Sequence, residues 1–424
     1  MDGSAATART VSARPGRAVP GGLLALTAVV VVALVVAAVL LVPWTAAPAG
    51  PVDASAGLDP AAVADAERLV TRLRVPSLLA LAATTLAAVG LVASGPGRRA
   101  LARARSRVPG TALQVAVTAL LVCVGVELVR LPFAVWSEQV RLAEGLSVRP
   151  AAVFARDLAQ GWLLETVPTV LAVVVVVLLA RRLPRWWPAV AAAAGAVFVV
   201  VASLVWPVVV EGRFASFTEL PDGPLRVDVE RLASEAGAPV SDVLVSDAST
   251  RTTTLNAYVS GLGPTRRLVL QDTLVDGFGQ DDVRAVVAHE VSHAASEDLV
   301  RGTTLGALGV AAGVLVLGTG AVAWSSRRGT SVGSPAAAGA VVLVVLLAPV
   351  VAGPAEALVS RQVERAADAG AVALTGDPGA YADMIRTLTL ANRSDPSPPG
   401  VLQWWFGSHP TPAERVATAE ALAG

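Results

Sequence analysis

Residues 283–299 read VRAVVAHEVSHAASEDL, and within them His289, Glu290 and His293 form the pattern H-E-x-x-H. On a helix, side chains four positions apart leave the same face, so both imidazoles reach one metal ion, with Glu290 beside the water that the ion would activate. The chain contains only three histidines, the third being His409 in SHPTPAER, so the residue type is confined to two motifs. With so few histidines, a chance H-E-x-x-H is expected on the order of once in a thousand such chains. Gly277 and Gly279 break the chain ahead of the motif, and Asp281 and Asp282 suit the N-terminus of the helix that follows. Asp281, Asp282, Arg284, Glu297, Asp298 and Arg301 make this helix too polar to cross a membrane, which places the motif at or beyond the interface. The alternative is a pair of histidines on a solvated helix face.

The surroundings of that helix are of another kind. Hydrophobic residues make up 54% and charged residues 16% of the 424, with a mean hydropathy of +0.63, which marks a membrane protein. Seven stretches suffice to cross a hydrocarbon core of about 30 Å: roughly 22–44, 76–94, 112–136, 163–180, 188–210, 304–324 and 335–358. The first is too long for a signal-peptide core and has six more behind it, so it reads as an anchor. The formal charge is zero and every basic residue is arginine, so nothing argues for a nucleic-acid partner. Cys123 is the only cysteine, which excludes an intramolecular disulfide and a cysteine-built metal site.

The arginines are unevenly placed. Arg9, Arg14 and Arg17 precede the first span; Arg98, Arg99, Arg103, Arg105 and Arg107 follow the second; Arg181, Arg182 and Arg185 follow the fourth; Arg327 and Arg328 follow the sixth. All fall on one side, cytoplasmic by the positive-inside rule, which expects the catalytic region on the extracytoplasmic side of the cell membrane. Division follows the spans: an N-terminal tail at 1–20, membrane helices at 21–210 and 304–358, a long polar insert at 211–303, and a C-terminal region at 359–424. Within the insert, 225–236 reads as an amphipathic helix, and 242–245, 255–260 and 267–271 read as short strands.

Two histidines leave a catalytic zinc one protein ligand short. The best candidate follows the seventh span in SRQVERAADAG, where Glu364 and Asp368 share a helical face: Glu364 to bind the metal, Asp368 to accept the N–H of a liganding histidine. Their alternative is a solvated helix face salt-bridged by Arg361 and Arg365.

HEVSH at 289–293, followed two spans later by SRQVERAAD, resembles the Ste24 type of CAAX prenyl protease, an integral-membrane zinc metallopeptidase of the M48 group. PFAVWSEQV at 132–140, FTELPDGPL at 217–225, NAYVSG at 256–261, RLVLQDTLVD at 267–276 and SHPTPAER at 408–415 follow the family's order, so the resemblance covers essentially everything after the tail. It implies a mainly α, polytopic fold of seven transmembrane helices with a gluzincin-like zinc-peptidase region carrying a small β-sheet. It also implies one Zn²⁺ per chain on His289, His293 and Glu364, Glu290 as general base and acid, Asp368 behind a ligand, and His409 and Arg415 facing the reacting carbonyl. Asn256, Ala257 and Tyr258 resemble the family's edge strand, where an extended peptide adds main-chain hydrogen bonds. For His409, Arg415 and Tyr258 the alternatives are a loop histidine bonded to backbone, a surface arginine on the last helix, and a tyrosine packed under the active-site helix. Glu127, Arg130, Glu165 and Glu356 fall inside spans and belong against protein interior, water or helix ends.

The expected activity is a metalloendopeptidase acting on membrane-associated peptides or proteins. The composition looks bacterial, so prenylated substrates do not carry over with the resemblance. Two rivals are a catalytically silent membrane scaffold of the same fold and an intramembrane site-2-type protease; the latter keeps its H-E-x-x-H inside an apolar span, which this chain does not.

Overall fold

The computed structural model describes residues 19–44, 52–238 and 240–423. Arg9, Arg14 and Arg17 and nearly all of the 1–20 tail lie outside the described residues, as does the start of the loop after the first span.

The first spans are α1 (Gly21–Leu41) and α2 (Pro60–Ala93), after which the short α3 (Gly95–Arg105) turns the chain back into α4 (Thr111–Ala143), α5 (Ala151–Arg182) and α6 (Trp187–Val205). A π turn over Trp206–Val210 carries α6 into α7 (Glu211–Phe214); Pro207 lacks the amide that would continue the α ladder there. Later come α11 (Asp298–Arg328) and α12 (Ala338–Thr375), after β1 (Phe217–Glu219), α8 (Pro224–Glu235), β2 (Asp242–Ser246), β3 (Ala257–Ser260), β4 (Arg267–Gln271), α9 (Asp272–Gly277) and α10 (Gln280–Ala295). The chain closes with α13 (Pro378–Ala391), α14 (Gly400–Phe406) and α15 (Pro412–Ala421). Among the described residues, seven helical segments are long and apolar enough to cross a membrane, and each coincides with one of the seven stretches expected from sequence.

Most spans overrun their apolar stretches toward the end where HEVSH lies. α2 begins at Pro60 rather than near 76, and α5 at Ala151 rather than near 163. Hydropathy could not mark these polar turns as helical; they persist because their charges find partners there, as Arg74 does with Asp395 at 3.0 Å and Asp157 with Arg251 at 3.4 Å. Between the spans, Leu101, Val115, Val177 and Val342 bring α3, α4, α5 and α12 together, while Leu23, Ala192 and Leu315 join α1, α6 and α11. Val32, Leu86, Val197 and Val351 stay exposed on the outside of the bundle, the kind of surface that a bilayer covers. Inside the spans, Arg130 lies 2.9 Å from Glu165 and 3.6 Å from Glu127, so these three charges form a cluster, while Glu356 stands apart and exposed on α12.

The sheet has strand order β1-β2-β4-β3, with the β2–β4 pair parallel and the two outer pairs antiparallel. Its central strand β4 buries Leu268, Val269 and Leu270 completely, and each such side chain contributes roughly 1.5–3 kcal/mol. α10 packs on this core with Val283, Val287, Ala288 and Val291, and α13 and α15 cover it with Met384, Ile385, Ala413 and Val416. The HEVSH helix is therefore clamped on several sides. Its C-terminal end turns at Glu297, which takes a left-handed φ of 54°, directly into α11 and the membrane.

Candidate metal centre

α10 presents His289 and His293, and α12 presents Glu364, which reaches the site from beyond two spans. His289 Nε2 lies 3.2 Å from His293 Nε2. Glu364 Oε2 is 3.3 Å from His289 Nε2, and its Oε1 is 3.7 Å from His293 Nε2. One donor atom from each of the three residues can be taken so that all lie within 4.8 Å of one another.

What stands behind the imidazoles fixes how they point. His293 Nδ1 is 2.9 Å from Asp298 Oδ2, the first residue of α11. His289 Nδ1 is 3.0 Å from Asp368 Oδ1. A carboxylate only accepts, so both Nδ1 atoms carry the proton, and each neutral ring turns its Nε2 lone pair inward. With both rings neutral, two lone pairs 3.2 Å apart repel unless a metal ion or a shared proton lies between them. Glu364 Oε2 is also buried without a hydrogen-bond partner. The donors fit a divalent first-row ion, and the orphaned oxygen and facing lone pairs are what such an ion satisfies.

Asp368 is held in turn. The Tyr381 hydroxyl donates to its Oδ1 at 2.7 Å, and Arg415 donates through Nε to both oxygens at 3.1 Å and through Nη2 at 2.7 Å. Only an ionised carboxylate accepts all of these together with His289. Burial, and then the charge of Asp368, push the Tyr381 hydroxyl well above its ordinary pKa, so it stays a donor. Burial would lower His293, but its bonds to Asp298 and Glu364 outweigh it, and without an ion the ring is pushed up to about 10. Glu290 is raised chiefly by burial, the nearby imidazoles opposing the shift.

The C-terminal elements bring His409. Its Nε2 is 3.3 Å from Glu364 Oε1, and 59% of its side chain remains exposed, so the ring faces both the metal cluster and the opening. Arg361 places the segment: its Nη1 donates to the carbonyls of Gln403 and Gly407 at 3.0 and 2.7 Å, while Gln403 Nε2 donates to the carbonyl of His409 at 2.7 Å. Arg361, Glu364 and Asp368 are at most 8% exposed, so the solvated, salt-bridged face that SRQVERAAD alone allowed is not what forms. A cavity of about 350 Å³ adjoins His409 and Arg415, bounded further by Leu388, Asn392, Gln403 and Phe406.

The site residues read from sequence are thus brought together with two differences. Arg415 arrives with its donors spent on Asp368 and Tyr381, behind His289. Asn256, Ala257 and Tyr258 lie at the sheet edge, and among the described residues no hydrogen bond or ion pair joins their side chains to the metal cluster. Ala257 faces the core under α10. Tyr258 points the other way, with Ser260, whose hydroxyl donates to Glu211 at 2.7 Å; burial and then Glu211 push the Tyr258 hydroxyl to about 12. Asn392 fixes the approach to this strand, accepting from Leu255 N at 2.8 Å and donating to Leu255 O at 3.1 Å. Sequence reading missed Asp298, Tyr381 and Asn392 as contributors. The only available signal was rarity: of two tyrosines, Tyr381 rather than Tyr258 is the one at the metal cluster.

Comparisons with known proteins agree with this geometry. The sequence profile of Peptidase family M48 matches residues 219–423. A CAAX prenyl protease 1 homolog of Arabidopsis thaliana is 31% identical over 165 residues, 38% of this chain and 39% of that protein; the match to the CAAX-type relative thus spans about two fifths of its length. A Protease HtpX homolog of Kineococcus radiotolerans is 31% identical over 219 residues, 46% of this chain and 72% of that protein. The crystal structure of S. mikatae Ste24p has the same fold, with a TM-score of 0.73 at 22% identity over 95% of this chain and 100% of that one. On the paired histidines with their distant glutamate, and these matches, the chain belongs to peptidase family M48, and it shares the fold of Ste24p.

Proposed function

We propose that the chain is a membrane-embedded zinc metalloendopeptidase that hydrolyses peptide bonds in membrane-associated peptides or proteins. The observation that carries this reading is the convergence of two Nε2 lone pairs and the Glu364 carboxylate, with both Nδ1 atoms tied to carboxylates. A zinc ion held by His289, His293 and Glu364 would polarise the scissile carbonyl and acidify the attacking water.

The remaining work falls to the chain's own groups. Glu290, one residue after His289 and half-buried, takes the water's proton and returns it to the leaving amine. His409, with its exposed ring beside Glu364, donates to the carbonyl oxygen as negative charge develops there. Arg415 and Tyr381 act through Asp368, keeping it ionised so that His289 holds its tautomer. The outer edge of β3, with Asn256, Ala257 and Tyr258, offers main-chain groups to an extended substrate. The arginine-rich end of the bundle is cytoplasmic on this reading, and the metal centre lies on the extracytoplasmic side.

The test pairs metal analysis of the purified chain with cleavage of a fluorogenic peptide, lipid-modified and unmodified, by wild type and Glu290→Gln. One zinc per chain is expected in both, with cleavage reduced at least a hundredfold in the variant. Absence of zinc, or equal cleavage, would falsify the reading.

A further inference from the structure

α3 is an eleven-residue helix wedged between the end of α2 and the start of α4. Ser94 caps it, accepting from Gly97 N at 3.1 Å. Leu101, 4% exposed, pins its inner face against Val115, Val177 and Val342. Arg99 and Arg103, four apart and both exposed, consequently stand on the outer face. Segments 94–110, 181–186 and 325–334 meet at this end of the bundle: Arg181 donates to Thr111 at 2.7 Å, and a Cβ on Gly333 would meet the Arg181 backbone at 2.6 Å. Together they carry ten arginines and no aspartate or glutamate. Among the described residues none of the ten pairs with a carboxylate; Arg328 lies instead over the Trp324 ring at 4.8 Å.

Beside α3 a cavity of about 380 Å³ opens between α2 and α4, bounded by Ala87, Gly90, Leu91, Gly97, Val122 and Gly125. Every one of these side chains is apolar or absent. A Cβ added to Gly90 would meet nothing within 4 Å, and one on Gly125 only Leu91 Cδ2 at 3.6 Å, so the space is open. Gly97, in the first turn of α3, lines the groove, and Arg98 follows it in the chain, donating to the Ala93 carbonyl.

We propose that this groove and the arginines above it form one binding site for an anionic phospholipid, an acyl chain lying between α2 and α4 and the phosphate meeting Arg98, Arg99 and Arg103. Both walls belong to membrane spans and every lining side chain is apolar or absent, so the groove takes an apolar occupant. The unneutralised guanidinium groups beside it select a negative headgroup, since arginine binds phosphate oxygens through paired N–H donors. An acidic protein or a nucleic acid would meet the arginines and leave the groove unfilled. The metal centre is at the other end of the bundle, because α2 and α4 run from Arg72 and Glu144, which pair there, to Ala93 and Thr111 here.

The full chain in nanodiscs of phosphatidylcholine containing a fixed fraction of phosphatidylglycerol provides the test, with lipids retained by the protein counted by native mass spectrometry. Phosphatidylglycerol is expected to be retained above its bulk fraction. Arg99→Gln and Arg103→Gln should each weaken apparent affinity about fivefold. Gly125→Leu, and independently Gly90→Leu, should remove the retained lipid with every arginine in place. Equal retention of the two headgroups by wild type overturns the proposal. So does persistence of retained phosphatidylglycerol in both groove-filling variants, which would leave a diffuse basic surface without a site.

Discussion

Asp298 and Tyr381 touch no substrate in the proposed reaction, yet they decide how two imidazoles point. Replacing Asp298 by alanine frees the His293 ring and its tautomer, and should weaken metal affinity about 10- to 100-fold, measured by zinc titration against a competing chelator; unchanged affinity would show that the 2.9 Å contact does not position the ligand. Proton competition gives a second expectation. In the absence of an ion, His293 holds its proton up to about 10, against an ordinary value of 6.5. A folded value above the unfolded one means that this contribution to the stability of metal-free protein is complete below 6.5 and is lost as pH rises toward 10. A bound ion must displace that proton, so zinc affinity rises over the same interval. Thermal melts from pH 6.5 to 9, with zinc and with chelator, should therefore diverge as pH increases; parallel curves would count against this coupling.

At the scale of elements, α12 matters most. It runs 38 residues as one continuous helix with Pro349 and Pro354 inside it, about 57 Å at helical rise, and carries exposed Val351 at one level and buried Arg361, Glu364 and Asp368 at another. Those three recur at helical spacing on the face turned to α10 and the C-terminal segment. The two helices approach closely where Gly370 meets Ser292, since a Cβ there would lie 2.8 Å from Ser292 Oγ and 3.0 Å from its Cβ. Gly370→Val should force α12 away from α10 and separate Glu364 from the histidines. Zinc retention is expected to fall at least tenfold although every ligand remains, with helix content by circular dichroism unchanged. Full retention would mean that Ser292 yields and the crossing does not.

For the whole molecule, the metal end of the bundle is a junction of distant segments. Arg393, with a left-handed φ of 49°, donates to Asp65 at 2.6 Å and to Glu144 at 2.9 Å, joining α2 and the end of α4 to the C-terminal region. Beside it, Asn392 holds the approach to β3. Arg393→Ala should lower the unfolding temperature by a few degrees and leave zinc stoichiometry intact; loss of zinc would make the junction part of the metal site. Orientation in the membrane belongs to this scale too. Reporter fusions to the loop between α11 and α12 and to the C-terminus should give a cytoplasmic signal for the loop and an external one for the C-terminus, and a cytoplasmic C-terminus would overturn the extracytoplasmic placement.

The seven spans, the helical H-E-x-x-H and the donor types were legible in the sequence, because hydropathy over 20 residues and a four-residue spacing are local properties. Glu364 was legible as chemistry, since a two-histidine set needs a third ligand, but its burial was not: SRQVERAAD reads as a solvated face until α10 and α15 are packed against it. Tyr381 and Asn392 were invisible for the same reason, as each acts on a partner 92 or 137 positions away in the chain, and Asp298 because only the left-handed turn at Glu297 brings it back to His293. Arg415 shows the limit most clearly, because its guanidinium is committed to Asp368 from 47 residues away. The sequence determined which elements form and which atoms can bind a metal. Tertiary packing decided that Asp368 stands behind His289 and Asp298 behind His293, and that Arg415 and Tyr381 hold Asp368, because that depends on how α10, α11, α12, α13 and α15 meet.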